Sequence, residues 1–484
     1  RQEPRPPNPS SSEQQATALE SVIGMATGIE GLLQHLGRPQ AMAVAESIRS
    51  QSATRLKELR GVDAWSHFQF EAERAVIERL LESGRFGEAV RSAEQLLDRC
   101  RQAGESAYSG AAYDLAMAHM TLGRALKKAG SAVSALEPLI EARTRFEQLA
   151  SSGDEDAARM ASVSLRDYAD CLGNLGRLDE AAEAYEQTIQ EAESRDDARM
   201  VATNKGQLGT VRLLQRRYAE ALAAWDEARQ TFEQLDEPGS VAAAWHQIGA
   251  VHGATGQYES AEHAYQQSLH IESNRGHRAG EADTLNQLGN LYSLQARREE
   301  AVRFYRQAAD IYAAPDIQDL AKEGLARSNA AGELIKLSRY DDARHEILRA
   351  IECKEPYGHA AEPWKTFGIL SDLEQAMGDA DRAAAARTRA VEAYLSYRRD
   401  GGENHTPGGQ LARIVTEALA AGDTTEAAAQ LVELTGHAGY PRSQPIVEAL
   451  TEILGGSRDA ALATDPRLGY DDAAELQLLL ERLG

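Results

Sequence analysis

A handful of places in the sequence hold residue types that could do chemistry. His345-Glu346 opens like the helical H-E-x-x-H of a zinc protease, in which two histidines bind the metal and the glutamate acts as base. Position 349 is arginine, so the second metal ligand is missing. His246, His252, His263 and His270 crowd one short stretch, and only His263 and His270, seven apart, share a helix face. A metal needs a third ligand pointing the same way. We read His252 as a packing residue and the others as surface residues. Cys353 followed by His359 offers a thiol and a base, but nothing supplies an orienting third group or an oxyanion hole. Cys100, Cys171 and Cys353 are odd in number, far apart and without a C-x2-C pair, which points to reduced thiols in a cytoplasmic protein. No G-x4-G-K-[ST] or strand-linked G-x-G-x-x-G occurs. We therefore expect no catalysis, metal or cofactor.

What remains is recognition chemistry. Arg124, Lys127 and Lys128 form a basic cluster that could hold a carboxylate, or that could be a solvated face paired with neighbouring acids. Asn286 and Asn290 are four apart and so share a helix face. An asparagine donates and accepts at once, as a peptide backbone requires. The alternative use is hydrogen bonding between neighbouring helices.

The elements that carry these residues follow from composition and repetition. Among 484 residues there are 52 Lys+Arg and 75 Asp+Glu, and 52 − 75 gives a net charge of −23. Broad phosphate-backbone binding needs a clustered positive surface, so nucleic acid is not an expected partner. Aromatics make up 6%, while the helix formers Ala, Leu, Glu, Gln and Arg abound. No apolar run reaches the length of a membrane span, so no membrane partner is expected.

The phrase "WHQIGAVHGATGQYESAEHAYQQSLHIE", from Trp245, is nearly repeated at "LNQLGNLYSLQARREEAVRFYRQAADIY" and at "NKGQLGTVRLLQRRYAEALAAWDEARQTF". A fourth copy surrounds Leu122-Gly123, and weaker ones surround Gly176, Tyr340 and Gly378. The alanines at 89, 135, 181, 221, 261, 301, 343, 383 and 427 follow one another at 46, 46, 40, 40, 40, 42, 40 and 44 residues. The pattern L-G-x2-Y followed by A-x3-[YWF] resembles the tetratricopeptide repeat (TPR), a two-helix unit that must stack to bury its apolar face. The usual TPR period is about 34 residues. The surplus implies longer helices or longer loops, with loops suggested at 151–158, 236–240 and 314–318. The long period resembles kinesin light chain and LGN-type adaptors, and the TPR arrays of bacterial multidomain CHAT-, NACHT- and NB-ARC-linked regulators.

The resemblance implies an all-α fold, a right-handed TPR superhelix (α-solenoid) with helical caps, whose inner wall comes from the first helices. Counted from the L-G glycine, the wall positions include Met117, Met120, Arg124, Lys127 and Lys128, then Arg166, Asp170 and Asn174. Next come Thr203, Gly206, Thr210, Leu213 and Leu214, and then Ala243, His246, Ala250, Gly253 and Ala254. Asp283, Asn286, Asn290, Ser293 and Leu294 follow, with Ser328, Ile335 and Lys336 beyond. The small residues Gly206, Ala243, Ala250, Gly253 and Ala254 either leave room for a ligand or mark tight helix packing. The expected groove contacts are Arg124, Lys127, Lys128, Arg166, Asn174, His246, Asn286, Asn290 and Lys336.

The expected organisation is a disordered linker over 1–12, an N-terminal helical cap or degenerate repeat over 13–64, the TPR array over 65–397, a linker over 398–410, and a divergent repeat with a helical cap over 411–484. The Pro/Ser-rich opening at Arg1 is read as a linker entered midway, making the chain a piece of a longer protein. The resemblance implies a non-catalytic interaction scaffold, the sensor or regulatory array of a larger bacterial signalling or defence protein. Its partners would be a protein or peptide ligand and an effector domain, protease or NTPase, in cis or in trans. The alternative is the substrate-docking arm of an enzyme such as a CHAT protease, with the catalytic domain outside this chain. A peptide-pheromone regulator is disfavoured, because residues 1–64 show no helix-turn-helix.

Overall fold

The computed structural model describes residues 65–82, 84–399, 402, 406–435 and 444–483, with the single positions Leu19, Val22, Val44, Ser47, Ile48, Gln51, Ser52 and Arg55. The expected linker over 1–12 and, apart from those positions, the cap over 13–64 lie outside the described residues. Among the described residues every regular element is a helix, and two compact units divide between Glu237 and Pro238. The first unit holds α1 (His67–Glu82), α2 (Phe86–Ala103), α3 (Ala111–Lys128), α4 (Ala132–Ala150), α5 (Glu155–Asn174), α6 (Leu178–Ser194), α7 (Ala198–Leu214) and α8 (Tyr218–Gln234). The second holds α9 (Pro238–Ala254), α10 (Tyr258–Asn274), α11 (Arg278–Leu294), α12 (Arg298–Tyr312), α13 (Leu320–Lys336), α14 (Tyr340–Lys354), α15 (Pro363–Ala376), α16 (Ala380–Arg399), α17 (Pro407–Ala421), α18 (Thr425–Thr435), α19 (Gln444–Leu454) and α20 (Tyr470–Leu483).

The long period comes from the helices. α7 to α11 are each 17 residues long, and three-residue turns such as 255–257 and 295–297 link helices within the second unit. Twice 17 plus twice three gives the 40-residue repeat. Half of the loop suggested over 151–158 and most of that over 236–240 are therefore helical, since α5 starts at Glu155 and α9 at Pro238, whereas 314–318 does lie between α12 and α13. Each short turn is closed by one left-handed residue. Gly256 (φ 72) and Gly276 (φ 66) adopt it freely, but Arg216 (φ 61), Ala296 (φ 57) and Ser338 (φ 60) hold the same conformation with a side chain. The amide of the following residue then donates back into the last helical turn, as Arg297 N does to Tyr292 O at 2.9 Å.

Close approach of the two helices in a hairpin rests on the glycine of the L-G pair. A Cβ on Gly209 would lie 2.7 Å from the Trp225 ring; one on Gly249 would lie 2.8 Å from Tyr265, and one on Gly289 2.6 Å from Tyr305. The ring of the second helix thus lies on the glycine of its own hairpin, and around Tyr265 the same cluster extends to Leu288 and Leu291 of the next. Ala135, Ala181, Ala221, Ala261, Ala301 and Ala343, the alanines that mark the period, are fully buried.

Within each unit the hairpins stack in sequence order, and first helices touch first helices: α3 with α5, α9 with α11, α13 with α15. Side chains on successive hairpins consequently become neighbours. Lys127 reaches Asp167 at 2.8 Å, Ser293 reaches Glu333 at 2.8 Å, and Arg306 reaches Glu346 at 2.7 Å, each across a separation of 40. At the C-terminal end, α16 runs to Arg399 and α17 starts at Pro407, so the expected linker over 398–410 overlaps both helices. The last helix, α20, buries Ala473, Leu476 and Leu479 in a cluster with Ala412 and Val415 of α17, and its Glu475 accepts from Arg398 Nε at 2.6 Å.

The two glycine roles predict opposite substitution effects. Ala296→Gly relieves a left-handed alanine and should raise stability by about 1 kcal/mol. Gly289→Ala forces the Tyr305 ring aside and should lower it by about 1–3 kcal/mol. Urea midpoints of the two variants against the parent chain measure both.

Candidate functional site

In the first unit the basic cluster already has its counter-charges. Arg124 Nε donates to Asp167 Oδ2 at 2.6 Å, and Lys127 Nζ bridges Asp167 Oδ1 and Asp170 Oδ2, both at 2.8 Å. Tyr185 donates its hydroxyl to Asp170 as well. Burial alone would raise the Asp167 carboxyl, but the charges of Arg124 and Lys127 outweigh it and hold the group below its ordinary value. The two cations are thus spent on the next first helix, and Lys128 remains as an exposed charge. Arg166 places Nη1 3.9 Å from the Met200 sulfur, and Asn174 is exposed at the last position of α5. Gly206 is the seat of the Trp225 ring, with a Cβ approach of 2.7 Å, so that small residue serves packing.

The second unit contains a polar cavity of about 370 Å³ on the wall made by α9, α11 and α13. Two of the expected groove residues, His246 and Asn286, line it. Thr284 Oγ1 lies 3.0 Å from the Gly280 carbonyl and 3.2 Å from Ser268 Oγ, and we assign its proton to the carbonyl. His246 Nδ1, 3.4 Å from the same oxygen, is therefore the donor, and Nε2 is left as an acceptor. Burial pushes the His246 imidazole below its ordinary value, against the opposing charges of Asp283 and Glu272, with Lys322 adding to the depression. Asn286 is 9% exposed, and its Oδ1 has no hydrogen-bond partner among the described residues. A buried acceptor left in that state costs about 1–3 kcal/mol.

Around these acceptors the charges pair off. Glu272 takes Arg275 Nη1 at 2.7 Å and His277 Nδ1 at 2.8 Å. Asp283 takes Lys322 Nζ at 2.8 Å and the Tyr312 hydroxyl at 2.5 Å. Asn290 lies on the same helix but is occupied: Tyr305 donates to its Oδ1 at 2.8 Å, and its Nδ2 donates to Gln287 at 2.9 Å. Lys336 pairs with Glu333 at 2.5 Å, and neither it nor Asn290 lines the cavity. Sequence reading missed Ser268, Glu272 and Tyr312 because they come from second helices or their ends. It missed Lys322 because that residue is aligned with Gly280, off the counted positions, and only its long stem carries it in.

The candidates for catalysis have ordinary surroundings. Cys100, Cys171 and Cys353 are free and buried, and burial pushes their thiols up to about 12, 11 and 11. The side chain of His359 lies outside the described residues. His263 packs edge-on against Trp245 with ring centroids 5.9 Å apart, and His270 meets Asn274 at 2.9 Å. No group of three His, Cys, Asp or Glu among the described residues is arranged for a metal, and no described helix is long and apolar enough to cross a membrane.

The tetratricopeptide repeat family model matches residues 199–271 and 240–314. These residues are tetratricopeptide repeats. The same hairpin geometry recurs in both units. Among solved structures, BtubC (BKLC) from P. vanneervenii is similar at 22% identity over 48% of this chain and 92% of its own, with a TM-score of 0.41. A signal transduction ATPase with numerous domains from Pyrococcus horikoshii, which carries a TPR sensor, is similar at 14% identity, covering 81% of this chain and 64% of its own (TM-score 0.47). A Rap protein complexed with competence and sporulation factor is similar at 12% identity, covering 79% of this chain and 99% of its own (TM-score 0.48). Among curated proteins nothing matches.

The depressed His246 has a sign that can be checked. A histidine whose folded pKa lies below its unfolded value, about 6.5, contributes stability that is present above pH 6.5 and lost as the pH falls below it. The His246 Hε1 resonance should titrate with a midpoint below 6.5. His246→Gln should reduce the loss of stability between pH 7 and pH 5.

Proposed function

We propose that this chain is a non-catalytic scaffold that binds an extended peptide segment of a partner protein in the groove of its second unit. TPR stacks are protein-interaction scaffolds. The observation that carries the reading is the pair of unspent acceptors in the cavity: Asn286 Oδ1, without a partner, and His246 Nε2. Both call for donors, and an extended peptide presents backbone N–H groups at regular intervals. The surrounding carboxylates carry their own cations, so the site favours neutral amide donors over a strongly charged ligand. The engaged state of Arg124 and Lys127 gives that cluster a stacking role, and we place peptide contact at Asn286 and His246.

The long repeat, with no catalytic constellation among the described residues, fits a sensor or regulatory array in a larger bacterial signalling or defence protein of the cytoplasm. Peptide capture there would bias an attached or associated effector. Stack elasticity supports such coupling, since repeats contact only their neighbours.

A displayed library of random linear peptides, selected on the full chain and then measured as synthetic peptides by fluorescence anisotropy, tests the groove. Asn286→Leu removes the acceptor and keeps the volume, and should weaken selected peptides about 5- to 100-fold, the worth of one buried hydrogen bond. The circular dichroism spectrum should be unchanged. Peptides that bind the parent and Asn286→Leu equally would move the site away from this cavity.

A further inference from the structure

The second unit holds another cavity, of about 290 Å³, where the end of α14 meets the start of α15 and the side of α16. Lys354, the last residue of α14, lines it and is 5% exposed. Its stem packs against Gly324, where a Cβ would come within 2.9 Å of Lys354 Cγ. Its ammonium donates to Thr366 Oγ1 at 2.9 Å, and Thr366 Oγ1 lies 3.3 Å from Ser328 Oγ, which donates to the Gly324 carbonyl. One N–H of the ammonium is thereby tied into the protein, leaving two for the cavity. Arg389 of α16 also lines it, with its guanidinium 4.1 Å from the centroid of the Phe367 ring.

Among the described residues neither Lys354 nor Arg389 has a carboxylate within ion-pair distance. The neighbouring acids are mostly committed elsewhere: Glu352 to Arg349 at 3.3 Å, Glu362 to Lys365 at 2.7 Å, and Glu323 of α13 to Arg327 and Arg349. Glu355 lines the rim and is exposed. The 14-residue α15 begins beside the cavity with no side-chain cap on its first turn, so its dipole adds a field that favours an anion. Ile351, Pro363 and Phe367 supply apolar walls.

We propose that this cavity binds a small monocarboxylate with an apolar body, its carboxylate held by Lys354, Thr366 and Arg389. An ammonium buried without a counter-charge is costly, and a ligand carboxylate supplies the missing partner. Burial pushes the Lys354 amine down to about 8, with Glu362 opposing and Lys365 adding to the shift. The unliganded ammonium therefore loses its proton as the pH rises through 8, and binding weakens with it.

The test uses the full chain, phenylacetate and the neutral phenylacetamide, titrated calorimetrically at pH 7 and pH 9. Phenylacetate should bind at pH 7 at least 10-fold more tightly than phenylacetamide and more weakly at pH 9. Lys354→Met, which keeps the stem, should lose at least 10-fold in affinity, and Arg389→Gln a smaller factor. On the unaltered chain, phenylacetate should slow acetylation of Lys354 by acetic anhydride, read by peptide mass mapping. This arm needs no variant to fold. Equal binding of acid and amide, unchanged affinity in a folded Lys354→Met, no heat up to millimolar phenylacetate, or unprotected Lys354 would each overturn the proposal.

Discussion

One hairpin of two helices cannot bury its own apolar stripe, and the rest of the structure follows from that constraint. The stripe must be covered by the next hairpin, so faces of successive hairpins become neighbours wherever the stack continues. That stacking sets Asp167 against Lys127, and Asp283 against the long stem of Lys322. The cavity containing His246 and Asn286 is a product of the same rule: its walls are equivalent faces of successive first helices, with their ends closed by residues from the helices between them.

The period was legible because it is written in residues with one steric job each. A glycine under a ring and an alanine at zero exposure leave little choice of neighbour, so Gly249, Tyr265 and Ala261 announce themselves in any copy. The origin of the extra length was less legible. Arg216, Ala296 and Ser338 close left-handed turns that glycine usually closes, and a reader who relies on glycine to mark turns cannot tell a long helix from a long loop there.

The site was legible in part, and its two halves differ for a physical reason. Counting along first helices found His246, Asn286 and Asp283, because face membership depends on spacing alone. It could not separate Asn286 from Asn290, four residues on, since only the fold shows that Tyr305 has already claimed the second. It offered pairing with neighbouring acids as one use of Arg124 and Lys127 but could not name the acids, which are the buried Asp167 and the half-buried Asp170 of the next first helix. Which polar groups remain unspent is a property of the assembled stack.

The equal lengths of helix and turn between Ala198 and Leu294 have a bearing on history as well as on mechanics. When every segment advances the chain by the same step, a copied hairpin can be spliced in beside its parent and meet matching surfaces on both sides. The step is broken between α12 and α13, where the connection runs from Ala313 to Asp319. Such a chain can grow or shrink by whole modules over generations while each local interface stays as it was, which leaves the number of hairpins free to drift and the identity of a few wall residues to carry the specialisation.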